Sequence, residues 1–180
     1  MDNCALRRRM LGRLEHALLS VDRAQLDQLT EMVDRADRVF VAGAGRTQLG
    51  LRGFAMALMQ IGLQSYVVGE TTTPGIRAGD LLVAASNTGR TMTTRCFIQQ
   101  ARLQGAKVAL ITASPQSGAA ASSDFVLTLQ PAGDPLQQGD LTDSSFEYAL
   151  LPLGDCVVEA LARRRHQTLR DVMRRHANME

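Results

Sequence analysis

The sequence predicts an α/β protein, a doubly wound parallel sheet of five strands in the order 2-1-3-4-5, preceded by two helices. Three observations carry that prediction. The chain has 180 residues, 45% of them hydrophobic and 21% charged, which suits one well-buried domain and is too little for two. Beyond residue 37, short β-branched apolar runs alternate with stretches of helical period. Those runs are apolar at nearly every position, as strands covered on both faces must be.

The elements follow in order. From Cys4 to Val21, Leu6, Met10, Leu14, Leu18 and Leu19 recur at helical spacing, predicting an amphipathic helix. Asp22 can cap a second helix with Leu26, Leu29 and Val33 on its inner face. Arg38–Gly43 reads as the first strand and Thr47–Gly62 as the helix after it. Ser65–Val68 and Asp80–Ser86 are the second and third strands, the latter followed by a helix to Gly105. Lys107–Thr112, a short helix near Ala119, and Phe125–Leu129 complete the alternation. After a polar loop around Pro131–Thr142, Ser145–Arg165 reads as a long helix burying Leu150, Leu151, Val157, Val158 and Leu161, with Pro152 expected to kink it. The chain thus divides into helices (1–36), an α/β core (37–165) and a tail (166–180) within one domain.

Composition narrows the function. Aromatics are only 4% and tryptophan is absent, so a stacking platform for single-stranded nucleic acid is not expected. Cys4, Cys96 and Cys156 are widely spaced, without a CxxC or a histidine at ligand spacing, which points away from disulfides and zinc. No apolar run approaches the ~18 residues that span a bilayer, so neither a membrane nor a leader peptide is expected and the reading is cytoplasmic. The net charge of +2 is unevenly spread: the basic excess lies at the two ends, and nineteen of the twenty basic residues are arginine. Nucleic acid remains one explanation for the basic ends; a solvated helix face is another.

In a sheet of this order, ligands bind where the strand order reverses, outside the carboxyl ends of the first and third strands. Two loops meet there. Gly43-Ala44-Gly45-Arg46-Thr47 lets the backbone turn tightly and come close to a ligand at a helix N-terminus. A dinucleotide fingerprint would need a third glycine, where Gln48 stands, and an acid closing the second strand; no cofactor is expected. Ser86-Asn87-Thr88-Gly89-Arg90-Thr91 offers three hydroxyls around a glycine, a donor set suited to a phosphate monoester, although Ser86 or Thr88 could equally act as a plain helix cap. Gly69–Pro74 forms a third loop on the same rim, readable as a solvated turn. Glu147, beside Phe146 at the start of an apolar helix, is either a semi-buried carboxylate with a raised pKa or an ordinary acid favoured by a helix N-terminus.

Read together, GAGRT, FAMALMQIG, YVVGETTTP, GDLLVAAS, T-G-x-T, the Phe146-Glu147 pair and the closing RRHANME resemble the 6-phospho-3-hexuloisomerases of the sugar isomerase (SIS) domain family, collinearly from Val39 to the last residue. The resemblance implies a flavodoxin-like SIS fold and a metal-free, cofactor-free enzyme that interconverts 3-hexulose 6-phosphate and fructose 6-phosphate through a cis-enediol, as in the ribulose monophosphate pathway. It implies that Gly45, Arg46, Thr47, Ser86, Asn87, Thr88 and Thr91 bind the hexose 6-phosphate, with Glu147 as base. It gives His176 ring opening or a second acid/base role, in a tail that reaches a neighbouring subunit of a homotetramer whose interface would include the apolar stripe of the first helix. Arg174 and Arg175 then belong to that tail rather than to a nucleic-acid surface, whereas Arg7–Arg9 remain a solvated face.

The chain departs from the family in one loop. Where S-G-S-G-E-T is usual, it carries Asn87 and Arg90, so a glycine becomes an amide and an acid becomes a cation. The alternatives are another SIS aldose–ketose phosphate isomerase, or a non-catalytic SIS module that binds a sugar phosphate, as in regulators with a DNA-binding helix-turn-helix. The roughly 36 residues before the first strand are fewer than such a regulator needs.

Overall fold

The computed structural model describes residues 3–132 and 144–179. Helices α1 (Asn3–Leu19) and α2 (Arg23–Arg35) lead into β1 (Val39–Ala42), α3 (Arg46–Gln60), β2 (Ser65–Val67) and β3 (Leu81–Ala85). Then come α4 (Met92–Leu103), β4 (Lys107–Thr112), α5 (Gly118–Ala121), β5 (Phe125–Thr128), α6 (Ser145–Arg164) and α7 (Leu169–Arg174). The sheet is parallel throughout, in the order β2-β1-β3-β4-β5. This is the predicted architecture. Most of the predicted loop after Pro131 lies outside the described residues.

Strand pleating divides the core into two layers. Val39, Val41, Leu81, Val83, Ala109 and Ile111 point to the side covered by α3 and α6, where Phe54, Leu58, Phe146 and Leu153 are buried. Phe40, Ala42, Leu82, Ala84, Val108 and Leu110 point to the other side, against Ile98 and Ala101 of α4 and Ala119 of α5. Both faces of the central strands are dry, which is why the sequence there shows continuous apolar runs. β5, at the edge, alternates buried Phe125 and Leu127 with half-buried Val126 and Thr128.

Helices α3 and α6 run side by side in the same direction with three glycines between them. A Cβ on Gly50 would lie 3.1 Å from the carbonyl oxygen of Glu147, one on Gly53 would overlap Leu151, and one on Gly154 would sit 2.8 Å from the Phe54 ring. The absent side chains let the two helices approach closely and fix their relative height. α6 continues through Pro152 without a break in its assignment.

On α1 the buried positions are Arg13 and Ala17, Leu14 and Leu18 pack against the core, and Leu6 and Met10 are exposed on this chain. Two sequence expectations change. Leu151 is half exposed instead of buried, since it leans across Gly53 rather than into the core. The tail contains a helix, α7, started by a capping box in which Thr168 and Asp171 bond each other's backbone N–H groups.

At the edge of the sheet opposite the loops, Arg38 grips the fully buried Asp80 carboxylate with Nε at 2.9 Å and Nη2 at 2.6 Å, and the Arg77 N–H adds a third bond at 2.8 Å. The hydrogen bond to Asp80 raises the pKa of Arg38 above its ordinary value, so the guanidinium stays charged. Asp80→Ala would strand that cation and free the turn into β3. An unfolding free energy lower by about 3 kcal/mol in urea melts is the expected result.

Candidate active site

Parallel pairing of β1 with β3, with Ala42 opposite Ala84, brings the two loops that follow these strands side by side. In the first loop Gly45 is the N-cap of α3 at φ +57°, a left-handed conformation that favours glycine. The Gly43 N–H donates to the Gln48 side chain, and a Cβ at Gly43 would press on Thr47 at 2.9 Å. Gln48, at the position where a dinucleotide site would have glycine, thus closes the turn on itself. Arg46 is exposed and Thr47 buried.

The second loop is built around Ser86. Its buried hydroxyl accepts the Gly89 N–H at 3.2 Å and lies 3.3 Å from the Thr91 hydroxyl. Gly89 has φ +63° and touches Ser117 so closely that a Cβ would fall 2.0 Å from its Oγ. Thr91 is the N-cap of α4 yet makes no side-chain cap bond, and exposed Thr88 accepts the Arg90 N–H at 3.3 Å. The hydroxyls therefore do not act as simple helix caps. The carbonyl of Asn87 accepts the Ala113 N–H and the Thr112 hydroxyl, each at 3.1 Å, tying the loop to the end of β4. Ser117 and Thr112 were not singled out in the sequence; a Ser-Gly-Ala-Ala-Ala start to α5 was the only local hint.

The third loop is pinned to α3. Arg52 pairs with Glu70, while the Thr73 hydroxyl and the Glu70 N–H both return to the carbonyl of Val67. Across α3, the first turn of α6 holds Glu147. Its Oε2 is buried and has no hydrogen-bond partner, and its own backbone carbonyl lies against Gly50. Tyr148, the next residue, stacks on Arg46 with the guanidinium carbon 5.3 Å from the ring centroid. A buried carboxylate oxygen without a donor is costly unless a ligand supplies one; the same helical turn carries Tyr148, which meets Arg46 at the start of α3.

His176 is elsewhere. It is exposed, with Nδ1 3.0 Å from the Ala177 carbonyl oxygen, and its neighbour Arg175 bonds the carbonyl of Gln60 at 3.3 Å and lies over Gly62. These contacts are at the C-terminal end of α3, a helix roughly 22 Å long whose other end carries Arg46. Parallel pairing of β1 with β3 sets Gly45, Arg46 and Thr47 beside the Ser86–Thr91 loop, Glu147 lies on the α6 turn packed against the first half of α3, and His176 follows Arg175 at the other end of α3. A groove of about 590 Å³ between α4 and α5, lined by Met92, Arg95, Cys96 and Arg102 among others, contains none of these residues.

Residues 32–143 match the model of the SIS domain, which takes in the sheet and all three loops. The chain belongs to the SIS family. Among SIS relatives, it is 38% identical over 165 residues to the 3-hexulose-6-phosphate isomerase of Mycobacterium gastri, covering 89% of this chain and 82% of that one. It is 35% identical to the 3-hexulose-6-phosphate isomerase of Methylomonas aminofaciens, over 86% and 87% of the two chains. A solved SIS structure from Methanococcus jannaschii, described as inferring a function of 3-hexulose-6-phosphate isomerase, superposes with a TM-score of 0.84 at 26% identity, over 94% of this chain and 98% of that one.

Proposed function

We propose that this SIS chain is a sugar-phosphate isomerase that interconverts 3-hexulose 6-phosphate and fructose 6-phosphate. The named relatives support the general class, and the buried, partnerless Oε2 of Glu147, on the α6 turn that packs against α3, is the observation that carries the chemistry. Moving the carbonyl from C3 to C2 requires loss of the C2 proton, a cis-enediol, and return of a proton to C3. Glu147 Oε2 takes the first proton and delivers it to the neighbouring carbon on the same face, so that one carboxylate serves both transfers without a metal.

The rest of the rim holds the substrate. Ser86, Thr88 and Thr91 bind the phosphate together with the loop N–H groups of Gly45 and Thr47, Asn87 shapes their loop, and Arg46 contacts phosphate or ketose oxygens. Gly45, Arg46 and Thr47 open α3 and Thr91 is the N-cap of α4, so these donors stand at helix N-termini, where the dipole favours an anion. His176 assists ring opening at the site of a neighbouring subunit, in a homotetramer of single-domain chains. Packing of α1 and α2 into the same core as α3 and α6 supports the single-domain reading. We place the enzyme in the cytoplasm, in keeping with Cys4, Cys96 and Cys156 forming no disulfide. Among the described residues no helix is long and apolar enough to cross a membrane.

The direct test supplies 3-hexulose 6-phosphate, made in situ from ribulose 5-phosphate and formaldehyde by a synthase, and follows fructose 6-phosphate. Formation above background is expected. A folded sample that binds a hexose phosphate yet yields no product would overturn the assignment.

A further inference from the structure

Arg46 and Arg52 stand on the same helix, yet they are held in opposite ways. Arg52 pairs with the Glu70 carboxylate, whereas among the described residues no acid pairs with Arg46, whose contact is the face of Tyr148. At 5.3 Å from the centroid the guanidinium is inside the ~6 Å over which a ring quadrupole attracts a cation. The difference matters for an anionic substrate. A carboxylate partner cancels the charge and occupies guanidinium N–H groups; an aromatic face holds the cation while leaving its charge and its donors free.

The ring is itself well placed. The Tyr148 N–H donates to the Ser144 carbonyl at 2.9 Å in the first turn of α6, and that turn is set against α3 by the missing side chain of Gly50. The same backbone therefore carries Glu147 and the ring that holds Arg46. We infer that Tyr148 is a positioning residue, which fixes Arg46 at the start of α3 as a cation without an acid partner, available to the phosphorylated ketose. This rests on the reading of Arg46 as a substrate contact, and it adds a residue for which neither the glycine turn nor the hydroxyl loop accounts.

The test is a set of four variants in the hexulose phosphate assay. Tyr148→Phe keeps the ring and is expected to keep both kcat and KM. Tyr148→Leu should raise KM roughly two- to fivefold with kcat within about twofold, the size of a partly exposed cation–π contact. Arg46→Ala should raise KM further, and adding Tyr148→Leu to it should change nothing more, because the ring acts only through the guanidinium. A ring needed merely for folding would show an undiminished effect in the Arg46→Ala background and would overturn the inference. So would a loss in Tyr148→Phe equal to that in Tyr148→Leu, which would assign the effect to the hydroxyl, or an unchanged KM in Tyr148→Leu. An unchanged KM in Arg46→Ala would instead overturn the assignment of Arg46 itself.

Discussion

Glu147→Gln is expected to lower kcat by about a thousandfold while leaving the affinity for fructose 6-phosphate nearly intact, the usual scale for loss of a general base. The amide keeps the volume and the hydrogen-bonding reach of the side chain, so the packing of Phe146 and the Gly50 contact should survive. It cannot take a proton from C2. Stopped assays for turnover and calorimetric titration with fructose 6-phosphate separate the two quantities. Turnover within tenfold of the unsubstituted enzyme would mean that the enediol forms at another group. The substitution also relieves nothing that stabilises the fold, because the Oε2 atom has no partner to lose.

The second large effect belongs to the tail. With Arg175 fastened to the C-terminal end of α3, His176 stands too far from Arg46 and Glu147 to act on them within one chain. Acting across a subunit boundary is the reading that fits this placement. His176→Ala should then reduce turnover by about a hundredfold. Mixing that variant with Glu147→Gln under conditions that exchange subunits should restore activity, up to about a quarter of the sites in a random symmetric assembly. If the tail served its own chain, every mixed site would still lack one of the two groups and no activity would return. Deleting residues 174–180 should resemble His176→Ala in activity and cost little in thermal stability, since α7 contributes no buried residue.

How much of this could be read from the sequence differs by element. The strand order and both loops were legible because β1, β3 and β4 are dry on both faces, and such strands can only be central and parallel. Gly45 and Gly89 were legible as turn glycines, and both adopt positive φ. What the hydroxyls of Ser86 and Thr91 bond to was not, because a cap and an anion cradle use the same residue types and only the geometry separates them. For α1, helical spacing reports a period without reporting where a neighbouring element stops, so Leu6 and Met10 share a stripe with Ala17 but are exposed on this chain. α7 was announced by Thr168 and Asp171, a signal hidden in a segment dominated by arginine. The place of His176 depends on Arg175 meeting Gly62 from 113 residues away, and no local pattern encodes such a contact.

The glycine seam between α3 and α6 also bears on how this chain can change. Because Gly50, Gly53 and Gly154 leave no room for a side chain there, the turn of α6 that carries the proposed base Glu147 is packed directly on the first half of α3. The Ser86–Thr91 loop hangs from a different strand and is anchored through Asn87 and Ser117 on the opposite layer. If Glu147 moves the proton as proposed, mutational drift at Asn87 and Arg90 is expected to change the preferred anion without disturbing it. Drift at the seam has no such latitude. New substrates for this architecture would be expected to arise by rewriting the hydroxyl loop and the incoming tail, while the paired helices persist as inherited machinery.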